Sequence, residues 1–291
     1  MNANLLNQLG CAVIVSTFNQ PVLLDRCLFA LDRQTAALLE LVVADDGSGE
    51  ETRAVIAAFT KQTRLAVRHV WHEDRGFRKT RILNKAIHAA AADYLVFIDG
   101  DCVAHPDFIA EHLANATAGH YLNGSLIRLN AGASARITRE AIASAAAFDA
   151  RWLIRSGGRI DRRYLRLALD YRSRRWLNRN NRTPLYWLGS NSSCFRADAI
   201  AVNGFDNRFS YGFEDGDFGN RLENFGLNPR TVRWTAILLH LWHARPWARP
   251  EVIERNQQLV TPKGAGSRHW AEDGLREAVA DDCPFPVSAN G

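Results

Sequence analysis

No apolar run in the sequence approaches the roughly 18 residues that a membrane-spanning helix needs, so no span is expected. The best N-terminal run, 11–18, is too short, follows no basic residue and precedes no small-residue cleavage site, so no signal peptide is expected either. The five cysteines (Cys11, Cys27, Cys102, Cys194, Cys283) are odd in number, scattered and without a C-x-x-C pair. That argues against a disulfide framework or zinc knuckle and for a reducing compartment, with the cytoplasm as the expected location. There is no G-x-G-x-x-G and no G-x-x-x-x-G-K-[ST], so neither a Rossmann dinucleotide site nor a P-loop is supported. Zinc fingers, basic zippers and RNA-binding aromatic signatures are missing too, so nucleic acid is not an expected partner. No internal repeat is found. With 47% hydrophobic and 23% charged residues, and only 20 Gly and 9 Pro in 291 residues, the chain is globular rather than disordered or collagen-like.

Lysine is absent from one long stretch. Residues 128–182 hold 14 Arg, no Lys and 4 acids (Glu140, Asp149, Asp161, Asp170). This segment therefore carries +10 against +5 for the whole chain, leaving −5 for the remainder. Such a segment either faces phosphate, an anionic polymer or a membrane surface, or is a solvated helix face.

The rest reads as alternating strands and helices. Strands are expected at 12–16, 39–44, 65–71 and 94–98, because β-branched runs this short do not make helices. Pro21 suits the first turn of a helix whose apolar stripe is Leu23, Leu24, Cys27, Leu28 and Leu31. Further helices are expected through Phe59 and over 78–92. This alternation means an α/β domain with a mainly parallel central sheet and flanking helices. The chain divides into an α/β half (1–124), a helical Arg-rich insertion (125–183), a second half of the same domain (184–262), and a loosely held tail (263–291). A helix is expected over 217–225 and a strand over 231–239.

Ligands of parallel sheets bind beyond the carboxyl ends of the strands. Two acidic clusters, Asp45-Asp46-Gly47-Ser48 and Asp99-Gly100-Asp101, lie at such ends. Two carboxylates on one turn resist joint ionisation unless a cation sits beside them, and Mg²⁺ or Mn²⁺ prefers such ligands. Ordinary turn chemistry would also place Asp and Gly there. Glu214-Asp215 opens a third cluster, suited either to a helix dipole or, in an aromatic pocket, to general-base work. His240 and His243, three apart at a strand end, can add nitrogen ligands to a metal. Trp187, Tyr211 and Trp242 offer apolar faces to a sugar ring, or pack the core.

The order T-F-N (17–19), D-D-G-S, D-G-D, G-S-N-S, G-F-D, E-D, H-x-x-H resembles a family 2 glycosyltransferase of GT-A fold. The second half also resembles the C-terminal region of β-1,4-galactosyltransferases and bacterial chondroitin polymerase domains. The specific matches are 77–84 (FRKTRILN), 203–207 (NGFDN), and 212–215 continued through 220–222. Similarity runs from about Ala12 to Arg245, interrupted by the insertion. Tyr211 and Phe213 stand where the galactosyltransferase motif has Trp and Gly. The resemblance implies an inverting transferase that moves a hexose from a UDP-sugar donor to a glycan or lipid-linked acceptor, an anionic one if the basic insertion faces it. It implies Asp215 as base with Glu214 orienting the acceptor, and Mn²⁺ or Mg²⁺ held by Asp101, Asp99, His243 and His240. Asp45 would contact uracil, and Asp46 or Asp99 the ribose. Arg78 and Lys79 would touch phosphate, and Thr17, Asn19, Trp187 and Tyr211 would complete the donor pocket. A metal-dependent hydrolase or nucleotidyltransferase, or a non-catalytic binder of anionic glycans, are the alternatives. Peripheral contact with the inner face of the cytoplasmic membrane is a further expectation from the Arg-rich segment.

Overall fold

The computed structural model describes residues 10–244, 249–264 and 266–280. Arg245, Cys283 and residues 281–291 of the expected tail lie outside the described residues.

Four strands, β1 (Cys11–Thr17), β2 (Glu40–Asp45), β3 (Ala66–Trp71) and β4 (Tyr94–Asp99), pair in parallel in the order β3-β2-β1-β4. β1, β2 and β4 are buried on both faces, which is why they read as unbroken apolar runs rather than alternating ones. One face (Val13, Val15, Leu41, Val43, Val96, Ile98) packs on Leu24, Cys27 and Leu28 of the helix Pro21–Leu31. The other face (Ala12, Ile14, Val42, Ala44, Leu95, Phe97) packs on Ile82, Leu83, Ala86 and Ile87 of the helix Lys79–Ala89. Each such Val, Leu, Ile or Phe side chain stabilises the fold by about 1.5–3 kcal/mol relative to exposure. That helix stops at Ala89 rather than at 92, because Ala90 turns extended and the N–H groups of Ala91 and Ala92 donate to buried Glu40.

Beyond β4, a three-stranded second sheet joins β5 (Cys102–Ala104), β7 (Ile127–Arg128) and β10 (Leu238–His240), in the order β5-β10-β7. The main sheet continues through β8 (Ser192–Phe195), antiparallel to β4, then β6 (His120–Asn123) and β9 (Asn228–Thr231), which are parallel to each other. The expected strand over 231–239 is thus two strands. The Val232 carbonyl accepts the N–H groups of Thr235 and Ala236, and the chain turns there to leave the edge of one sheet for the centre of the other.

The segment 125–183 is not purely helical, since it supplies β7. Its helices (Ala131–Arg136, Arg139–Ala143, Ala150–Arg155, Leu165–Ala168, Tyr171–Arg179) are short. The alanine-rich run is broken at Ala145, whose φ of 59° is left-handed. These pieces cover a third apolar cluster of Ile137, Ile142, Phe148, Leu153 and Tyr164 against Ile237, Leu239 and Leu241. The tail is held more firmly than expected. The helix Leu275–Ala280 packs on Lys79–Ala89, Leu275 enters the second core cluster, and the Asn207 side chain donates to Asp273 and Gly274.

Candidate active site

Register brings the acidic turns together. Thr17 lies level with Asp45 across β1 and β2, and Ser16 with Asp99 across β1 and β4, so all these residues emerge at one end of the sheet. A cleft of about 600 Å³ opens there. Thr17, Asp46, Lys79, Asp99, Asp101, Tyr211, Glu214, Asp215, His240 and His243 line it.

At one end of the cleft, β5 and β10 pair antiparallel with His240 opposite Cys102, and the Leu241 N–H donates to the Asp101 carbonyl. This ties H-x-x-H to the D-G-D turn. His243 Nε2 lies 2.8 Å and His240 Nε2 3.6 Å from Asp101 Oδ2, and the two imidazoles stack at 5.5 Å. One ligand atom from each of the three residues falls within 4.8 Å of the others. Burial works against the Asp101 charge, but His243 and His240 outweigh it and hold the carboxyl below its ordinary range. A carboxylate and two imidazoles converging on a cleft fit a divalent cation with an open side for substrate. Asp99, expected as a further ligand, is placed elsewhere. Its Oδ1 accepts from Ser16 Oγ and from Lys79 Nζ, each at 2.7 Å. Burial disfavours the Lys79 ammonium, but Asp99, Asp215 and Glu214 outweigh it and raise its pKa well above the ordinary range. Lys79 is thus a fixed cation between the two acidic ends of the cleft.

At the other end, Phe213 takes a left-handed φ of 68° and launches the helix Glu214–Asn224. Glu214 and Asp215 occupy its first turn, where the helix dipole tolerates carboxylates. Asp215 Oδ2 accepts the Gly189 N–H at 2.9 Å, while its Oδ1 is buried with no hydrogen-bond partner. A Cβ at residue 189 would stand 2.3 Å from that Oδ1, so glycine is required for this approach. Burial and then neighbouring Asp215 push Glu214 up to about 7, with Lys79 opposing. Burial pushes Asp215 up as well, again against Lys79. Two adjacent carboxylates beside one ammonium are thus both held above their ordinary range.

Several expected contacts are corrected. Asp45 is fully buried and does not line the cleft; it accepts the Ser48 N–H at 2.8 Å and meets His69 Nε2 at 2.9 Å. Asp46 takes the cleft position, held by His72 Nε2 at 2.7 Å and the Arg78 N–H at 2.9 Å. The Arg78 guanidinium points to the Glu73 carbonyl, outside the cleft lining. Asn19 clips two loops together, donating its N–H to Ser48 Oγ and accepting from the Gly49 N–H, and it too is off the lining. Trp187 borders the cleft, but its side chain is fully buried against Phe97, Tyr121 and Phe218, so it supports the floor and offers no face to a ligand. Tyr211 does border the opening, edge-on to Phe77. Ser16, Gln20 (3.3 Å from His243 Nδ1) and His72 were missed by sequence reading, and Gly189 entered it only as the first residue of the G-S-N-S motif, with no role assigned. Of the three missed, only Ser16, ending a strand level with Asp99, carried a usable signal.

The profile of Glycosyl transferase family 2 matches residues 12–193. The chain belongs to that family. A second profile, described as N-terminal domain of galactosyltransferase, matches residues 179–244, which include both Glu214-Asp215 and H-x-x-H. Validoxylamine A glucosyltransferase of Streptomyces hygroscopicus subsp. jinggangensis (strain 5008) is 33% identical over 230 residues, 76% of this chain and 53% of the relative. The chain therefore spans about half the length of that relative. Hyaluronan synthase of Pasteurella multocida is 30% identical over 106 residues, 36% of this chain and 11% of the synthase. Among solved structures, mannosyltransferase PcManGT from Pyrobaculum calidifontis, in complex with GDP-Man and Mn²⁺, aligns with a TM-score of 0.54 at 17% identity over 81% of this chain and 58% of that one. S. aureus TarS aligns with a TM-score of 0.56 at 16% identity over 87% and 39%. The likeness to these structures shows the GT-A fold.

Proposed function

We propose that this protein moves a hexosyl group, with inversion, from a UDP-sugar to a hydroxyl of a glycan or lipid-linked acceptor, using Mn²⁺ or Mg²⁺. One observation carries the reading: a carboxylate with a buried, unpartnered oxygen (Asp215) faces, across one cleft, a carboxylate–imidazole donor set (Asp101, His240, His243). In the reaction, the acceptor oxygen attacks the anomeric carbon as its proton passes to Asp215. The bond from that carbon to the phosphate oxygen breaks, and its electron pair leaves with UDP. Asp215 needs to be ionised for this, and Lys79 opposes the effect of burial by favouring its charge. Glu214 orients the acceptor from the same turn. Asp46 is positioned to accept from the uracil N–H, replacing Asp45 in that role. Asp101, His240 and His243 would hold the cation, which supplies Lewis-acid neutralisation of the leaving diphosphate. Two imidazoles favour Mn²⁺ over Mg²⁺, which prefers an all-oxygen shell.

The test is UDP release from a panel of UDP-hexoses with Mn²⁺, with and without an acceptor panel that includes validoxylamine A, the compound for which one relative is named. Acceptor-dependent release supports the proposal. Equal release without acceptor makes the protein a nucleotide-sugar hydrolase, and release from none of the UDP-hexoses but from a GDP-hexose run in parallel overturns the donor assignment.

A further inference from the structure

The helix Tyr171–Arg179 buries none of its residues. Its inner side is defined by Asn178, whose side chain donates to Thr235 Oγ1 at 2.9 Å and accepts the Trp234 N–H at 3.0 Å. Arg172, Arg175, Trp176 and Arg179 are exposed, and their spacing of i, i+3, i+4 and i+7 makes one outward stripe. Trp176 is 62% exposed at its centre. None of the three arginines forms an ion pair with a carboxylate among the described residues. In the sequence no acidic residue occurs between Asp170, the N-cap of this helix, and Asp198. The segment leading into this helix also exposes Ile160 and Leu165, and the helix's first residue, Tyr171, is exposed as well.

We propose that this stripe docks the enzyme on an anionic lipid surface. Arginine without a carboxylate partner is complementary to lipid phosphate, and can hold it with two parallel hydrogen bonds. A soluble polyanion offers the same acceptors but no apolar layer for an exposed tryptophan. A tryptophan turned to solvent between the arginines has the amphipathic form that settles at the headgroup level. The helix is anchored at the turn that leads into β10, and β10 ends in His240 at the cleft. Docking through it would set the cleft at a fixed position beside the membrane. The inference is independent of the chemistry proposed for the cleft, and stands even if donor or base is reassigned.

The experiment is co-sedimentation of the full chain, without sugar nucleotide, with vesicles of phosphatidylcholine and phosphatidylglycerol or of phosphatidylcholine alone. Binding to the anionic vesicles only is expected. It should weaken as salt shortens the Debye length from about 10 Å at 0.1 M to about 3 Å at 1 M. At roughly fivefold per arginine, the triple change Arg172→Gln, Arg175→Gln, Arg179→Gln should lower partitioning about a hundredfold. Trp176→Ala alone should weaken it severalfold. All four side chains are exposed, and a thermal melt matching the wild type confirms that each variant folds. If the triple variant misfolds, Trp176→Ala decides. Wild-type binding by the folded variants overturns the proposal. So does capture by immobilised heparin with no capture by anionic vesicles, which would make the stripe a site for a soluble polyanion.

Discussion

Glu214→Gln is expected to change how stability depends on pH. The Glu214 side chain is buried with its pKa up to about 7 from 4.5, so the folded protein favours the protonated form. In the unfolded chain it ionises at its ordinary value. A raised folded-state pKa gives stability that is fully present below about 4.5 and is lost as pH rises through about 7. At 1.36 kcal/mol per pKa unit, the wild type forfeits on the order of 3 kcal/mol across that window. Glutamine keeps the shape and cannot ionise. The variant should therefore match the wild type near pH 4 and exceed it by up to about 3 kcal/mol at pH 8. Part of that gain depends on Asp215, whose own ionisation becomes easier once the neighbouring charge is gone. Urea unfolding of both proteins at intervals between pH 4 and pH 8 measures the difference directly. Parallel pH profiles would refute the claim that Glu214 is forced towards its neutral form by burial and by Asp215.

Asp215→Asn keeps the fold and cannot take a proton, so turnover should fall by about 10²–10⁴ while UDP affinity, measured calorimetrically, stays constant; a far larger loss in Glu214→Gln would swap the two roles. Asp101→Ala should abolish EDTA-sensitive activity and weaken Mn²⁺ binding in a titration followed by paramagnetic resonance, whereas Asp99→Asn should leave Mn²⁺ affinity nearly unchanged. Undiminished metal-dependent turnover in Asp101→Ala would sink the assignment. Asn84→Ala removes a fully buried side chain that bonds the Phe205 N–H and carbonyl and the Asn207 side chain. Its loss should cost about 2–4 kcal/mol in urea unfolding, because both backbone groups are left unpaired.

The sheet was legible because β1, β2 and β4 are short, β-branched and bounded by polar turns, and strand ends in a parallel sheet point to a shared cleft. The D-G-D turn, Glu214-Asp215 and H-x-x-H were readable from residue type and order. Which carboxylate faces the cleft was not. Asp45 and Asp46 are neighbours whose side chains point to opposite sides of a strand end, and only the positions of His69, within β3, and His72, just past its end, decide between them. Asp99 was taken for a ligand because D-x-D spacing carries no record of Lys79, which lies 20 residues earlier and reaches it through the packing of its helix. Trp187 looked like a sugar platform because sequence cannot tell an aromatic on a wall from one beneath a floor. The strand over 231–239 failed for another reason: no Gly, Pro or Asn marks the turn within it, yet Thr231 and Leu238 belong to different sheets.

The configuration of the product at the anomeric carbon tests most directly whether Asp215 acts as a lone base across from the leaving diphosphate. Proton NMR of the product formed from an α-linked UDP-hexose, recorded before any mutarotation, reads it from the anomeric coupling constant. A β-linked product is expected. An α-linked product would mean net retention, and would contradict direct displacement by an acceptor deprotonated at Asp215.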